Sequence, residues 1–353
     1  MSSTAPETSN AAHTPAPIAA ASGHLGVLDG WRAISILLVL GCHMLPLGPK
    51  SLRLNETAGP AGMSLFFTLS GFLICHTLWK NPDVVSFFIR RIARIMPLAV
   101  AASTTFLLIQ GKSLEFFVPH WLLYTNYDHE HTTKITSHFW SLCVEMHFYL
   151  FIGSLVALTG RRGMVLIPIL ALGITGLRVA SGATINIMTH LRVDEILTGV
   201  TLALVWLGEL GAVGRLLRTA MLRIPTAVWI LLFAASCHPL SGPLQYLRPY
   251  LGTAVVGSTL LRTTNLTGIL SIRPLKYIAE VSYALYVIHP ATMYGWLGSG
   301  EGIEKYLKRP LSFGLTFVLA HLSTFGFEHR FTDWARRLTT KRATPVRAER
   351  TSP

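Results

Sequence analysis

Long apolar stretches recur along this chain from Leu28 to Phe327, and they constrain its fold more than any other feature. Each stretch holds about 16 to 22 residues, which is enough for a helix to cross a hydrocarbon core roughly 30 Å thick. Only 13% of the residues are charged, against roughly 25% in an average soluble protein. The sequence therefore predicts an all-α integral membrane protein with about ten transmembrane helices.

The basic residues give the predicted spans a direction. We place these spans near residues 28–47, 60–79, 95–110, 139–159, 163–181, 191–208, 226–240, 246–261, 276–296 and 310–328. If the N-terminus is cytoplasmic, most Lys and Arg residues between spans fall on the inner side, as the positive-inside rule requires. We therefore expect both termini in the cytoplasm, in a multi-pass protein of the bacterial cell inner (cytoplasmic) membrane.

This arrangement leaves a polar tail at each end of the chain. Residues 1–24 are rich in Ala, Ser, Thr and Pro and predict a disordered tail, residues 25–338 hold the transmembrane domain, and residues 339–353 form a basic cytoplasmic tail. Too little basic charge precedes the first apolar stretch for a cleavable signal. The net charge of +13 comes from residues between the spans, which argues against nucleic acid as a partner.

Neither a metal nor a bound cofactor is expected. The four cysteines fall inside predicted spans without metal-type spacing, and we interpret them as packing residues: Cys42, Cys75, Cys143 and Cys237. The segment Asp128-His129-Glu130-His131, between the third and fourth spans, carries residue types that bind metals. Because it has no helical frame and no further ligand, a hydrated loop is the better interpretation.

Ionisable side chains inside the spans are the candidates for function, because each is costly in lipid unless it is paired or used. The first span contains Arg32 and His43, eleven positions apart. At 100° per residue, this spacing puts both on one helix face, roughly 16 Å apart, with Arg32 near the inner surface and His43 deep in the membrane. A lone His on an apolar helix is usually a packing residue, but the shared face with an arginine favours a functional His43.

Small residues and arginines mark the second span and the loop after it. Ser70-Gly71 in the second span favours close helix contact. Arg91 and Arg94 fall on one face of an interfacial turn, before a helix break predicted at Pro97. Their guanidinium groups suit lipid headgroups or the phosphates of a nucleotide-like ligand, and topology alone does not choose between these.

The fourth span carries a carboxylate. Ser141, Glu145 and Tyr149 are spaced four residues apart, so they form a stripe that places Glu145 between two hydroxyls. Left unpaired in the membrane, this carboxylate would be protonated or very costly. We therefore interpret Glu145 as a functional group or the direct partner of one.

The sixth and ninth spans hold further polar side chains. Arg192, Asp194 and Glu195 begin the sixth span, where a structural Arg192–Glu195 ion pair competes with a functional role. Polar residues on one face of the ninth span are Ser282, Tyr286 and His289. The direction of that span places its histidine in the outer half of the membrane, near the depth of the histidine in the first span.

Taken together, these stretches resemble the bacterial acyltransferase family 3 of membrane O-acyltransferases, over about residues 25 to 340. The matching motifs are Leu28-Asp29-Gly30, Arg32 with His43, the run from Phe66 to Ile74, Arg91-x-x-Arg94 before Pro97, Trp140-Ser141-Leu142 with Glu145 and Phe148-Tyr149, and Ser282-Tyr283 with Leu285-Tyr286 and His289-Pro290. The chain departs from the family pattern at Ser64, where an acidic residue is common, and around Glu328, which lacks the usual neighbouring Tyr and Pro.

The resemblance implies acyl transfer from cytoplasmic acyl-CoA, commonly acetyl-CoA, to a hydroxyl reached from the opposite side. It makes His43 the catalytic imidazole, as a base for the acceptor hydroxyl or as a carrier of the acyl group. Glu145 or a nearby hydroxyl would orient the second nitrogen of His43. Arg32, Arg91 and Arg94 would hold the phosphates of the donor or line its channel. Residues expected to support the site are Trp140, Ser141, Tyr149, Arg192, Asp194, Ser282, Tyr286 and His289.

We therefore predict a membrane-embedded O-acyltransferase that moves an acyl group, most commonly acetyl, to a cell-surface or exported glycan. The expected partners are acyl-CoA as co-substrate, a glycan or lipid-linked glycan acceptor, and membrane lipids. One alternative is a multi-span transporter or flippase of a glycan or lipid intermediate, since such proteins also bury polar residues in many helices. Another is O-acylation of a small secondary metabolite.

Overall fold

The computed structural model describes residues 21–343, and every regular element in this range is helical. The α-helices, in chain order, are α1 (Ala21–Met44), α2 (Leu54–Lys80), α3 (Val84–Ile109), α4 (Phe117–Trp121), α5 (Trp140–Thr159), α6 (Ile167–Ala180), α7 (Asp194–Leu207), α8 (Gly211–Arg223), α9 (Thr226–Cys237), α10 (Arg248–Leu261), α11 (Asn265–Leu270), α12 (Arg273–Met293), α13 (Gly302–Ser323) and α14 (His329–Ala343). A π-helical segment, Thr324–Glu328, joins α13 to α14. The all-α fold class is confirmed for this part of the chain.

The two predicted tails lie largely outside the described residues. Where they are described, they are helical: residues 21–24 belong to α1 and residues 339–343 belong to α14. The domain limits at residues 25 and 338 stay predictions.

Fewer helices are long and apolar enough to cross a membrane than the ten spans predicted from the sequence. Each predicted span overlaps a helix, but six helices in the described range are long and apolar enough to cross a membrane, or up to eight if two bent pairs count as one span each. The first pair, α7 with α8, bends by 99°, and the second, α9 with Gly242–Leu261, bends by 118°. Ten spans and two cytoplasmic termini stay predictions.

The helix break predicted at Pro97 is wrong, because α3 continues through this proline to Ile109. Proline removes one backbone donor, but apolar surroundings and neighbouring helices allow it inside membrane helices. The hydroxyl of Tyr283 on α12 donates to the carbonyl of Ile95 at 2.6 Å, which ties this turn to the bundle. Arg91 therefore lies on the same continuous helix as the third predicted span.

Glycines bring α2 and α7 into backbone contact at the centre of the bundle. A Cβ atom on Gly71 would lie 1.9 Å from the carbonyl oxygen of Ile196, and one on Gly199 would lie 2.1 Å from that of Thr68. Since no side chain fits there, these glycines set the separation of the two helices. The close contact predicted at Ser70-Gly71 is thus confirmed at Gly71.

The two ends of the bundle differ in chemistry. α1 and α12 pack side by side in the same direction: a Cβ on Gly26 would lie 3.7 Å from Cε of Lys276 near their starts, and the rings of His43 and His289 meet near their ends. We call the end where both helices begin the basic end, because it holds Arg32 and the first turns of α3. The opposite end is called the histidine end.

Candidate active site

A central cavity of about 240 Å³ opens between α1, α2, α3, α5 and α12. Arg32, Arg91 and Arg94 line it together with Glu145 and Tyr149. These side chains come from α1, α3 and α5, so residues far apart in sequence share one cavity. The structure thus brings together the three arginines and the carboxylate that the sequence singled out separately.

Two further cavities meet the central cavity around Arg94, and we call them the rim cavities. The first, of about 370 Å³, is lined by Arg90, Arg91, Arg94 and Arg336 among others. The second, of about 580 Å³, also contains Arg94 and adds Arg32 and Lys276. Since guanidinium forks match phosphate geometry, the first rim cavity suits a polyanionic ligand. The second also contains the carboxylates of Asp29, Glu280, Glu328 and Asp333.

Local contacts fix the arginines of the central cavity. The guanidinium carbon of Arg91 lies 5.6 Å from the ring centre of Tyr149 and 5.9 Å from that of Phe87. Arg32 lies 3.8 Å from Asp29, one turn earlier on α1. Aromatic faces hold a cation without neutralising it, so Arg91 keeps its charge available to the cavity.

Glu145 is buried, with 5% of its surface exposed, and it receives hydrogen bonds from two hydroxyls. Its Oε1 accepts from Ser70 at 2.6 Å and from Tyr149 at 2.5 Å. The bond with Tyr149 follows the predicted stripe, whereas Ser141 instead donates to the hydroxyl of Tyr286. Both bonds of Glu145 lie in the wall of the central cavity, and neither involves His43.

Imidazoles cluster at the histidine end. The ring centre of His289 lies 5.3 Å from that of His43 and 5.3 Å from that of His138. His43 is exposed in the last turn of α1, one residue before the helix ends, so it lies at the end of the helix rather than deep along it. The ring beside His43 is therefore His289.

The tautomer of His289 follows from its hydrogen bond. Its Nδ1 lies 2.7 Å from the carbonyl oxygen of Tyr286, and a carbonyl can only accept, so Nδ1 carries the proton. In the neutral ring this leaves Nε2 as an acceptor. His289 can thus receive a proton or a hydrogen bond at Nε2.

Tyr286 connects the histidine end to the central cavity. Its hydroxyl donates to the carbonyl of His138 at 2.6 Å and accepts from Ser141 at 2.6 Å. Its ring stacks on Phe66, 6.5 Å between centres, and Phe66 lines the central cavity. On the same face of α12, Ser282 also lines that cavity. The predicted face of α12 therefore runs from the cavity wall to the imidazoles.

A comparison with protein families decides the relationship of this chain. The model of the acyltransferase domain family (Acyl_transf_3) matches residues 25–328. The chain belongs to acyltransferase family 3. It is therefore an acyltransferase, and its apolar helices agree with the membrane location of this family.

Relatives of this acyltransferase include enzymes of bacterial cell walls. It is 26% identical to the peptidoglycan O-acetyltransferase OatA of Listeria monocytogenes, over 84% of this chain and 54% of the relative. It is 26% identical to a putative O-acetyltransferase of Staphylococcus aureus, over 84% and 55%. It is 25% identical to the putative peptidoglycan O-acetyltransferase YrhL of Bacillus subtilis, over 84% and 53%. The chain thus spans about half the length of these relatives. No solved structure matches it.

Arg192 and Asp194 belong to a buried ion-pair network away from the cavities described above. Arg192 lies 3.2 Å from Glu195, so the predicted ion pair is present. Arg178 pairs with Asp194 at 2.6 Å, and Arg248 pairs with Glu195 at 2.9 Å. These residues lie on or beside α6, α7 and α10, so the network connects these three helices.

Trp140 joins this network to the site. The guanidinium carbon of Arg192 lies 5.5 Å from the Trp140 ring centre, and the next residue, Ser141, bonds to Tyr286. Arg192 therefore packs against the first residue of α5. Its Nε and Nη1 find no hydrogen-bond acceptor among residues 21–343.

Sequence reasoning missed several residues of the acyltransferase. His138 lies two positions before Trp140, and this place next to a family motif was the signal that could have revealed it. Arg178 falls inside an apolar stretch, where an arginine calls for a partner. Arg248 starts the eighth predicted span. No sequence signal linked either arginine to its carboxylate.

The segment between α4 and α5 forms its own ion pair. Nδ1 of His131 lies 2.8 Å from Asp128, and this carboxylate raises the pKa of His131. Within the described part of the chain, no group of three or more His, Cys, Asp or Glu side chains is placed to hold a metal.

The structure also locates Ser64 and Glu328, the two places where the sequence departs from the family pattern. Ser64 is buried at the centre of α2, and its hydroxyl has no hydrogen-bond partner among the described residues. Glu328 accepts from Ser323 at 3.1 Å and from Thr324 at 3.3 Å. It also lines the second rim cavity with Arg94. Glu328 therefore contributes a carboxylate to the basic end without the neighbouring Tyr and Pro of the family pattern.

Proposed function

We propose that this acyltransferase transfers an acetyl group from acetyl-CoA to a hydroxyl of a cell-surface glycan, with peptidoglycan as the acceptor class. The observation that carries this proposal is the placement of Phe66 and Tyr286 between the arginine-lined central cavity and the imidazoles of His43 and His289. The names of the relatives support the acetyl group and the peptidoglycan acceptor.

The donor binds at the basic end in this proposal. A CoA molecule carries several phosphates, and Arg32, Arg91 and Arg94 supply guanidinium groups at the junction of the three cavities. The central cavity is smaller than the rim cavities, and in this proposal it takes the pantetheine arm with its thioester. The acyl group would then point along α12 toward Tyr286.

His43 performs the proton transfer at the other end. The acceptor oxygen forms a bond to the acyl carbon, the carbon–sulfur bond of the thioester breaks, and the hydroxyl proton passes to the imidazole and then to the departing CoA thiolate. A neutral imidazole can also carry the acyl group between two half-reactions. His289, whose Nε2 is an acceptor, stands beside His43 and supports its orientation.

Glu145 acts between these ends. Its carboxylate fixes the hydroxyls of Ser70 and Tyr149 and faces the arginines across the central cavity. We assign Glu145 to the region of the thioester, where its hydrogen bonds order the wall of the donor channel and its carboxylate balances the charge of the arginines. The acceptor, free or linked to lipid, reaches His43 from the histidine end, on the outer side of the bacterial inner membrane.

The test compares wild-type membranes with His43→Ala membranes supplied with labelled acetyl-CoA and soluble peptidoglycan fragments. We expect labelled ester on the fragments with the wild type and its loss in the variant, since general base catalysis contributes about 10² to 10⁴ in rate. His321→Ala, an exposed histidine on α13, is the matched control and should retain activity.

Two results would reject the proposal. Unchanged labelling by His43→Ala membranes would remove this residue from the chemistry. Label that appears on a small metabolite or a lipid, and on none of the glycan fragments, would replace the acceptor class.

A further inference from the structure

α14 exposes an apolar stripe along one of its sides. Phe331, Trp334 and Leu338 are 37%, 58% and 39% exposed. Their spacing of three and four residues puts them on one helix face. Exposed large side chains at this spacing indicate a contact surface rather than scattered residues.

A neighbouring side of α14, about 90° around the helix from the stripe at 100° per residue, packs against the bundle. Ala335 and Thr339 are buried where α14 lies along α3. Nε of Arg90 donates to the hydroxyl of Thr339 at 2.8 Å. Among the residues that the structure describes, the stripe therefore stays exposed beside this packed side.

The length of this last helical region indicates where the stripe lies. The apolar helical segment from α13 through the π-helical turn to α14 covers Tyr306–Thr340, 35 residues. At 1.5 Å per residue, such a segment is about 52 Å long, whereas the hydrocarbon core is roughly 30 Å thick. The excess of about 20 Å places α14 beyond the core, where its first turns meet the layer of lipid headgroups.

Charge around the stripe matches an anionic lipid surface. At 100° per residue, Arg330 and Arg337 lie beside Trp334, on the side away from the packed face. The acidic residue of α14 is Asp333, which pairs with Arg336 at 3.5 Å. A helix with tryptophan and leucine on one side and arginines next to them is typical of helices that lie in a membrane interface.

We propose that the stripe of α14 is seated in the headgroup layer of the leaflet at the basic end, where Arg330 and Arg337 bind anionic phospholipid headgroups. The same helix presents Thr332 and Arg336 to both rim cavities. Lipid binding thereby holds one wall of the opening at the basic end in place. This contact is independent of the proposed acyl transfer, and its test does not use that activity.

The experiment places an environment-sensitive fluorophore on single cysteines of the full-length protein in vesicles. Cys42→Ser removes the partly exposed thiol, and the other cysteines are buried. Trp334→Cys and Leu338→Cys report on the stripe, while Asp333→Cys and Thr340→Cys, both exposed on the polar side, are matched controls. In vesicles containing phosphatidylglycerol, we expect the stripe labels to be quenched by a lipid-borne quencher and the controls by aqueous iodide.

The double variant R330Q/R337Q tests the charge contribution. It should reduce lipid quenching of the stripe labels in phosphatidylglycerol vesicles to the level measured in phosphatidylcholine vesicles. If the stripe labels are as accessible to iodide as the controls, the proposal is wrong. Equal lipid quenching with and without phosphatidylglycerol would overturn the assignment to anionic headgroups, and disulfide-linked dimers of Trp334→Cys would assign the stripe to a second copy.

A measurement without substitutions guards against misfolded variants. Amide hydrogen exchange of residues 329–343 is compared in lipid discs of the two compositions. We expect slower exchange in the anionic discs, because headgroup binding opposes fraying of the helix. Identical exchange in both discs would contradict the proposal.

Discussion

At the scale of single residues, Glu145 combines burial, two hydroxyl donors and nearby arginines. Replacing the carboxylate by an amide in Glu145→Gln keeps its size but removes the charge and one acceptor site. We expect acyl transfer to fall about 10- to 100-fold, since a hydrogen bond to a charged group contributes about 1.5–3 kcal/mol, with little change in protein amount. The measurement is labelled ester formed per amount of protein in membranes.

Glu209→Gln is the control for this change, because Glu209 is an exposed carboxylate between α7 and α8. It should leave the rate of acyl transfer unchanged. If Glu145→Gln retains the wild-type rate, the carboxylate has only a structural role.

Arg248 illustrates a residue whose importance is structural. It is fully buried and pairs with Glu195, so Arg248→Ala leaves a buried carboxylate with one remaining partner, Arg192. Removing one member of a buried ion pair costs about 3–5 kcal/mol. We expect a marked decrease in thermal stability of the purified protein, followed by light scattering or by tryptophan fluorescence.

Arg215→Ala provides the comparison, since Arg215 is exposed on α8 and surface charges contribute about 0–1 kcal/mol. A melting temperature for Arg248→Ala equal to that of Arg215→Ala would mean that the network does not stabilise the fold.

The sequence singled out individual residues better than it paired them. His43, Glu145 and the three cavity arginines could be found because an ionisable group in an apolar stretch is conspicuous. The second partner of Glu195 could not, since Arg248 lies 53 positions away and only the packing of α7 against α10 brings them together. Ser70 was assigned to helix contact, although its hydroxyl binds Glu145.

At the scale of helices, the contact of α2 with α7 depends on atoms that are absent from glycine. Gly71→Ala places a Cβ 1.9 Å from a backbone oxygen, so the helices must separate. Alanine favours a helix over glycine by about 1 kcal/mol, yet we expect the variant to be less stable than the wild type. Thermal unfolding in detergent measures whether the stability of the variant rises or falls.

Gly173→Ala on α6 is the matched substitution, because a methyl group added there would meet open space among the described residues. It should be neutral or stabilising. The two substitutions are therefore expected to change the stability in opposite directions. A stabilising Gly71→Ala would contradict the packing described for α2 and α7.

Helix positions followed from the length of apolar stretches, but helix continuity did not. A proline breaks most helices in water, yet α3 continues through Pro97. The bend of 99° between α7 and α8 lies at Gly208 and Gly211, whose φ angles are 82° and 55°. Apolar length alone therefore predicted ten spans where six to eight, within the described range, are long and apolar enough.

At the scale of the whole molecule, the polar residues form a route between two different ends of a helical bundle. Arginines line the cavity at the middle of α1 and α12, and imidazoles gather where these helices end. The central cavity, Phe66 and Tyr286 lie between them. We therefore predict that donor and acceptor approach from opposite sides of the membrane.

The most direct test of this claim uses the full-length protein in sealed vesicles. Soluble peptidoglycan fragments are trapped inside, and labelled acetyl-CoA is added outside only. We expect labelled ester on the trapped fragments with the wild type and none with His43→Ala. Fragments that become labelled only when acetyl-CoA is on their own side of the membrane would contradict it.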